Sequence, residues 1–196
     1  QIGSVECLHV FSFIISALVE GEFMQMEDIY RLDQGIERYL TKTQKKTADF
    51  IEACLELGGI LGKWSESDIQ LLKQYGHGLG MAFQITDDIM DYSATAETTG
   101  KPVGKDLREG LITYPLLSIV NDSNKAEVTA AVQAIADGKA PDELIAYVAT
   151  EGGVANAEKL EADYRENAHK ALEGLPAFAG KSVLYEVLDS LADRKV

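Results

Sequence analysis

The sequence predicts an all-α protein. Apolar residues recur at helical spacing along the chain, and no segment alternates apolar and polar residues long enough to read as a strand. Capping residues also fall where the periodic stretches begin and end. Of the 196 residues, 46% are hydrophobic and 26% charged, which suits a single domain over 1–196 with a buried core.

Each element can be justified in turn. A first helix is expected from about Val5 to Arg31. Its N-terminal half, through Val10, Phe11, Phe13, Ile14, Ile15 and Leu18, is apolar on more faces than one core covers, which predicts burial on two sides and a homodimer. A second helix starts near Gln34 and ends at Gly58, Gly59 and Gly62. Ser65 with Asp68 reads as a capping box for a third, carried to about Tyr92. Gly76, Gly78 and Gly80 inside it each cost up to about 1 kcal/mol against Ala, a penalty that points to close helix contact or to tolerated glycines. Ser93 to Thr113 reads as a long loop around Pro102, one that is either functional or disordered when empty. Shorter helices come after it. Pro141, Asp142 and Glu143 mark one start, Gly152 and Gly153 its end, and Pro176 the break before a last helix that includes Val183 to Leu191.

A formal charge of −14 disfavours nucleic acid and anionic membranes as partners, since both repel an acidic surface. A protein this acidic needs cations to handle anionic ligands. Cys7 and Cys54 stand far apart among apolar residues and suggest neither a disulfide framework nor a zinc site, which fits a reducing cytoplasm. The apolar run Leu8 to Val19 is shorter than the roughly 20 residues of a membrane span, and lacks the basic flank of a signal peptide.

The chemistry concentrates in Phe83, Gln84, Asp87, Asp88 and Asp91. Residues three and four apart share a helix face, so the three carboxylates converge with Gln84 one turn before them. Such a group is either a solvated acidic helix end or a site for a divalent cation. Oxygen donors without His or Cys suit Mg²⁺, which bridges carboxylates to substrate phosphates. The five-residue pattern arises by chance on the order of once in ten thousand chains of this length, which favours the metal site. The spacing excludes an EF-hand.

The sequence resembles the polyprenyl synthetases, the trans-isoprenyl diphosphate synthases. Their second aspartate-rich motif is matched by Gly80, Phe83, Gln84, Asp87, Asp88, Asp91 and Tyr92, and onward by Gly100, Lys101, Pro102, Gly104, Asp106, Glu109, Gly110, Thr113 and Pro115. Glu20, Gly21, Glu22 and Gln25 resemble the family's Gly-Glu-x-x-Gln helix, and Tyr39, Lys46 and Thr47 its Tyr and Lys-Thr segment. Gly152, Gly153 and Ala157 fall at its Gly-Gly helix start.

The resemblance implies the C-terminal part of an isoprenoid synthase-type bundle of antiparallel helices around a central cavity. It implies Mg²⁺-dependent ionisation of an allylic diphosphate, attack by isopentenyl diphosphate, and loss of a proton to the released diphosphate. Asp87 would ligate metal directly, with Asp88 and Asp91 acting through metal-bound water or by pairing with Lys101. Lys46 and Lys101 would grip diphosphate, Thr47 and Gln84 would present oxygens to the developing cation, and Gln25 would line the cavity. Lys46 also reads as part of a solvated Lys42, Lys45, Lys46 face, Glu22 and Gln25 as ordinary exposed polar residues, and His77 as a packing histidine. Leu111 departs from the basic or amide residue common after the family's Glu-Gly.

The family's first aspartate-rich motif and the arginine pair after it would belong upstream of Gln1. The expectation is therefore half an active site, inactive by itself. Two other readings are a class I terpene cyclase, against which Lys46-Thr47 and Phe-Gln-x-x-Asp-Asp speak, and a non-catalytic partner subunit, for which repelling carboxylates have no use.

Overall fold

The structure is a computed structural model that describes residues 4–93 and 103–193. Every regular element among them is helical. Helix α1 (Val5–Glu27) leads through a short 3₁₀ turn (Leu32–Gln34) into α2 (Gly35–Thr43). The chain continues without a break through a π-helical segment, Gln44–Ala48, into α3 (Asp49–Leu61). The expected second helix is thus one rod with a π-helical insertion that periodicity does not reveal.

Ser65 caps α4 (Glu66–Ser93) as predicted: its Oγ accepts the Asp68 N–H at 3.2 Å and donates to the Asp68 carboxylate at 2.6 Å. After residues 94–102, which lie outside the described part, come α5 (Lys105–Arg108), α6 (Tyr114–Leu117), α7 (Lys125–Ala136), α8 (Asp142–Thr150), α9 (Gly153–Gly174) and α10 (Lys181–Asp193). The described part of the expected loop from Ser93 to Thr113 therefore contains a helical turn, Lys105–Arg108.

Helix α4 is the axis of the bundle, packed against α3 on one side and α9 on another. The glycines reveal the geometry. A Cβ on Gly76 would meet Glu52 Cα at 2.8 Å, and one on Gly80 would meet Ala48 Cα at 2.5 Å. Positions rise along α4 as they fall along α3, so the two helices run antiparallel with their backbones in near contact. Gly78 against Tyr164 and Ala168, and Leu71 against Gly174, give the same antiparallel relation to α9. The glycines serve close helix contact.

One core cluster gathers Leu72, Tyr75, Leu79, Ala168, Leu172 and Leu188 from α4, α9 and α10. Another, with Tyr39, Tyr92, Leu107, Leu116 and Val148, ties α2 and the end of α4 to the C-terminal helices. Burying such side chains stabilises a fold by about 1.5–3 kcal/mol each.

Within the single chain helix α1 is covered on one face: Cys7, Val10, Ile14, Ala17 and Gly21 are buried, while Leu8, Phe11, Phe13, Ile15, Phe23 and Met26 are exposed. The full helix of 23 residues is also long and apolar enough to cross a membrane by length and composition, which the shorter run Leu8 to Val19 concealed. Glu20, Glu22 and Glu27 interrupt its second half.

Candidate active site

Four elements converge on one cavity of about 320 Å³: the end of α1, the α2 and π-helical rod, the last turns of α4, and the α5 region. The α1 residue Gln25 lines it, as do Lys46 and Thr47 from the π-helical segment and Gln84, Asp87 and Asp88 from α4. Six of the residues singled out in the sequence therefore meet in space. Asp91 is not among the lining residues, and Lys101 lies outside the described residues.

The π-helical segment separates three lysines that look alike in sequence. Lys45 pairs outward with Glu20. Lys46 Nζ donates to Gln25 Oε1 at 2.8 Å and pairs with Glu22 at 3.1 Å, so the exposed Glu22 and half-buried Gln25 steer it. Lys42 is 7% exposed, bonded to Gln34 at 3.1 Å and 3.6 Å from Asp28, and burial holds its pKa below the ordinary lysine value. A π-helical turn adds a residue per turn and so rotates the faces of the residues after it, a device frequent at functional sites. The solvated face considered for the three together is not observed.

The three aspartates also differ. Asp87 is exposed, and its carboxylate has no hydrogen-bond or ion-pair partner among the described residues. Asp88 is buried and accepts from the Tyr39 hydroxyl and from Gln84 Nε2 at 3.0 Å. Thr47 donates to Gln84 Oε1 at 3.1 Å, which completes a chain from Thr47 through Gln84 to Asp88. Burial pushes the Asp88 pKa up to about 7; the two hydrogen bonds oppose this, and the Asp106 and Asp87 charges reinforce it.

Asp91 instead accepts the backbone N–H groups of Lys105 at 2.9 Å and Asp106 at 3.0 Å, while its own carbonyl accepts the Gly104 N–H at 3.0 Å. It ties the segment after residue 102 to the end of α4. Gly104 holds φ +77° there, where an added Cβ would also strike Ile145 at 2.5 Å.

Sequence reasoning gave no site role to Asp106, Lys42, Thr43, Tyr39 or Lys105, all of which line the cavity. Asp106 and Tyr39 did stand in the matched motifs, which was the available signal. Burial first, then the Asp91, Asp87 and Glu109 charges, push the Asp106 pKa up to about 6. Leu111 lines the wall without a charge, and Lys42, Lys46 and Lys105 are the cations on the same cavity among the described residues. Carboxylates facing lysines around one cavity suit a polyanion accompanied by a divalent cation.

An all-α bundle with such a cavity defines the class of isoprenoid synthase-type helical folds, and the comparisons narrow it further. The polyprenyl synthetase family profile matches residues 1–151, and the chain belongs to that family. It is 32% identical over 187 residues to heptaprenyl diphosphate synthase component 2 of Geobacillus stearothermophilus, covering 95% of this chain and 58% of that protein. It is 32% identical over 175 residues to octaprenyl diphosphate synthase of Escherichia coli (strain K12), covering 89% and 54% respectively. The chain thus spans a little over half the length of these curated relatives.

Among solved structures, heptaprenyl diphosphate synthase from Staphylococcus aureus matches with a TM-score of 0.88 and 27% identity, over 99% of this chain and 61% of that one. A decaprenyl diphosphate synthase from Rhodobacter capsulatus gives 0.88 and 26%, over 100% and 61%.

Proposed function

We propose that a protein carrying these residues is a trans-prenyltransferase that condenses isopentenyl diphosphate with an allylic diphosphate. The observation that carries this reading is the meeting of Gln25, Lys46, Thr47, Gln84, Asp87 and Asp88 on one cavity. In the reaction the allylic C–O bond breaks, a C–C bond forms to isopentenyl diphosphate, and the proton lost from the new chain passes to the released diphosphate. No protein base is needed.

The donors available for a divalent cation fit Mg²⁺: Asp87 is unpartnered among the described residues, and Asp88 is a buried carboxylate near both Asp87 and Asp106. Bound there, Mg²⁺ would supply the positive charge that a leaving diphosphate requires. Lys46 would hold a diphosphate oxygen, its ammonium aimed by Gln25 and Glu22. Lys42 and Lys105 add charge where Leu111 supplies none. Thr47 and Gln84 would turn oxygens toward the allylic carbon, with Gln84 oriented by its bond to Asp88. Asp91 would act from outside the cavity, by holding Lys105 and Asp106 in place. Lys101 keeps its role as a diphosphate contact on the strength of the motif.

The test is transfer of radiolabelled isopentenyl diphosphate to an allylic co-substrate. Asp87→Ala is expected to lose about 10²- to 10³-fold in turnover, the scale seen when one charge-stabilising group is removed elsewhere. A near wild-type rate overturns the assignment.

The exposed α1 face carries the second part of the proposal. Phe11, Phe13, Ile15, Phe23 and Met26 form an apolar stripe that a second copy of the chain would cover. Both cysteines are free thiols, in keeping with a cytoplasmic location.

A further inference from the structure

A second ionisable cluster lies between α3 and α4, and none of its members lines the cavity described above. Asp49 and Glu52 stand three residues apart on one face of α3, and His77 reaches them from α4 beside the close backbone contact at Gly76. One carboxylate oxygen from each acid and a ring nitrogen of His77 all lie within 4.8 Å of one another. His77 Nδ1 sits 3.8 Å from Glu52 Oε2, too far for a hydrogen bond, while the Tyr164 ring stands 6.0 Å away on the α9 side.

The charges do not balance. Asp49 is 5% exposed; Gln44 Nε2 donates to it at 3.2 Å, and no lysine or arginine pairs with it among the described residues. Lys73 stands 2.9 Å from Glu56 and 3.6 Å from Glu52, so one ammonium is shared between two carboxylates and none is left for Asp49. Buried carboxylates of this kind are stable when paired or when they coordinate a metal. A cavity of about 650 Å³ borders Glu52 and His77, with Asp49 behind them outside its lining, and leaves room for water on the open side of the two residues.

We propose that Asp49, Glu52 and His77 form a site for one first-row transition-metal dication of the Zn²⁺ type. An imidazole with two carboxylates selects such an ion over Mg²⁺, which prefers all-oxygen sites. The ion is structural. It bridges α3 to α4 one turn from the contact of Gly80 with Ala48, and so braces the π-helical segment that carries Lys46 and Thr47.

The experiment is calorimetric titration of the chelator-stripped, purified protein with Zn²⁺ in the presence of excess Mg²⁺, with thermal unfolding read in parallel. Wild type and Asp87→Ala are each expected to bind one equivalent and to unfold at higher temperature once loaded. His77→Gln and Glu52→Gln are each expected to bind about tenfold or more weakly and to lose the thermal shift. Two variants on different helices guard against one that fails to fold. Absence of binding to wild type, or equal affinity in a folded His77→Gln, overturns the proposal. Loss of the Zn²⁺ equivalent in Asp87→Ala also overturns it, because the ion would then belong to the aspartate-rich cavity.

Discussion

Asp88→Asn isolates the electrostatics of the buried aspartate in the metal-free protein. Burial raises the pKa of Asp88 from 3.8 to about 7, the Tyr39 and Gln84 donors pull it back, and the Asp106 and Asp87 charges add to the rise. Between those two values the folded protein holds a proton that the unfolded chain has released. Because the folded state binds more protons there, the unfolding free energy falls as pH rises through the window. The span corresponds to about 4 kcal/mol at ~1.36 kcal/mol per pH unit, fully expressed only above about pH 7.

Asparagine keeps the shape and the acceptor for Tyr39 but gives up the bond from Gln84, a loss of about 1 kcal/mol. The variant is therefore expected to be about 1 kcal/mol less stable than wild type near pH 4 and about 3 kcal/mol more stable near pH 8. Urea unfolding of chelator-treated protein across that range, followed by circular dichroism, reads the difference directly. Parallel stability profiles for the two proteins would refute the reasoning.

Other perturbations address packing, binding and assembly. Gly80→Ala places a Cβ 2.5 Å from Ala48 Cα and is expected to cost about 1–3 kcal/mol in urea unfolding. Gly58→Ala, where nothing lies within 4 Å, is expected to gain about 0.5–1 kcal/mol instead. Lys46→Met removes a charge-assisted contact, so the KM for a diphosphate substrate is expected to rise about ten- to a hundredfold in steady-state assays. Phe13→Glu sets a charge in the exposed α1 stripe, and light scattering at micromolar concentration is expected to show a dimer become a monomer; a wild-type monomer contradicts the assembly.

What the sequence determined by itself is local. Helical periodicity, the Ser65 cap, the Gly152 and Gly153 break, and the spacing of Gln84, Asp87 and Asp88 all depend on neighbours within a few turns, so they can be read from the chain alone. The family motifs added an expectation of which of these residues bear on diphosphate chemistry. Tertiary structure decided the rest, because burial and pairing depend on segments far apart in sequence. Three aspartates equivalent on a helical wheel became an exposed carboxylate, a buried one bonded to Tyr39 from 49 positions away, and a tether for Lys105 and Asp106. Three neighbouring lysines were parted by a π-helical insertion that has no period of its own in the sequence. His77 met Asp49 and Glu52 only because α4 doubles back along α3 at glycine distance, a contact that helical spacing along one chain segment cannot express.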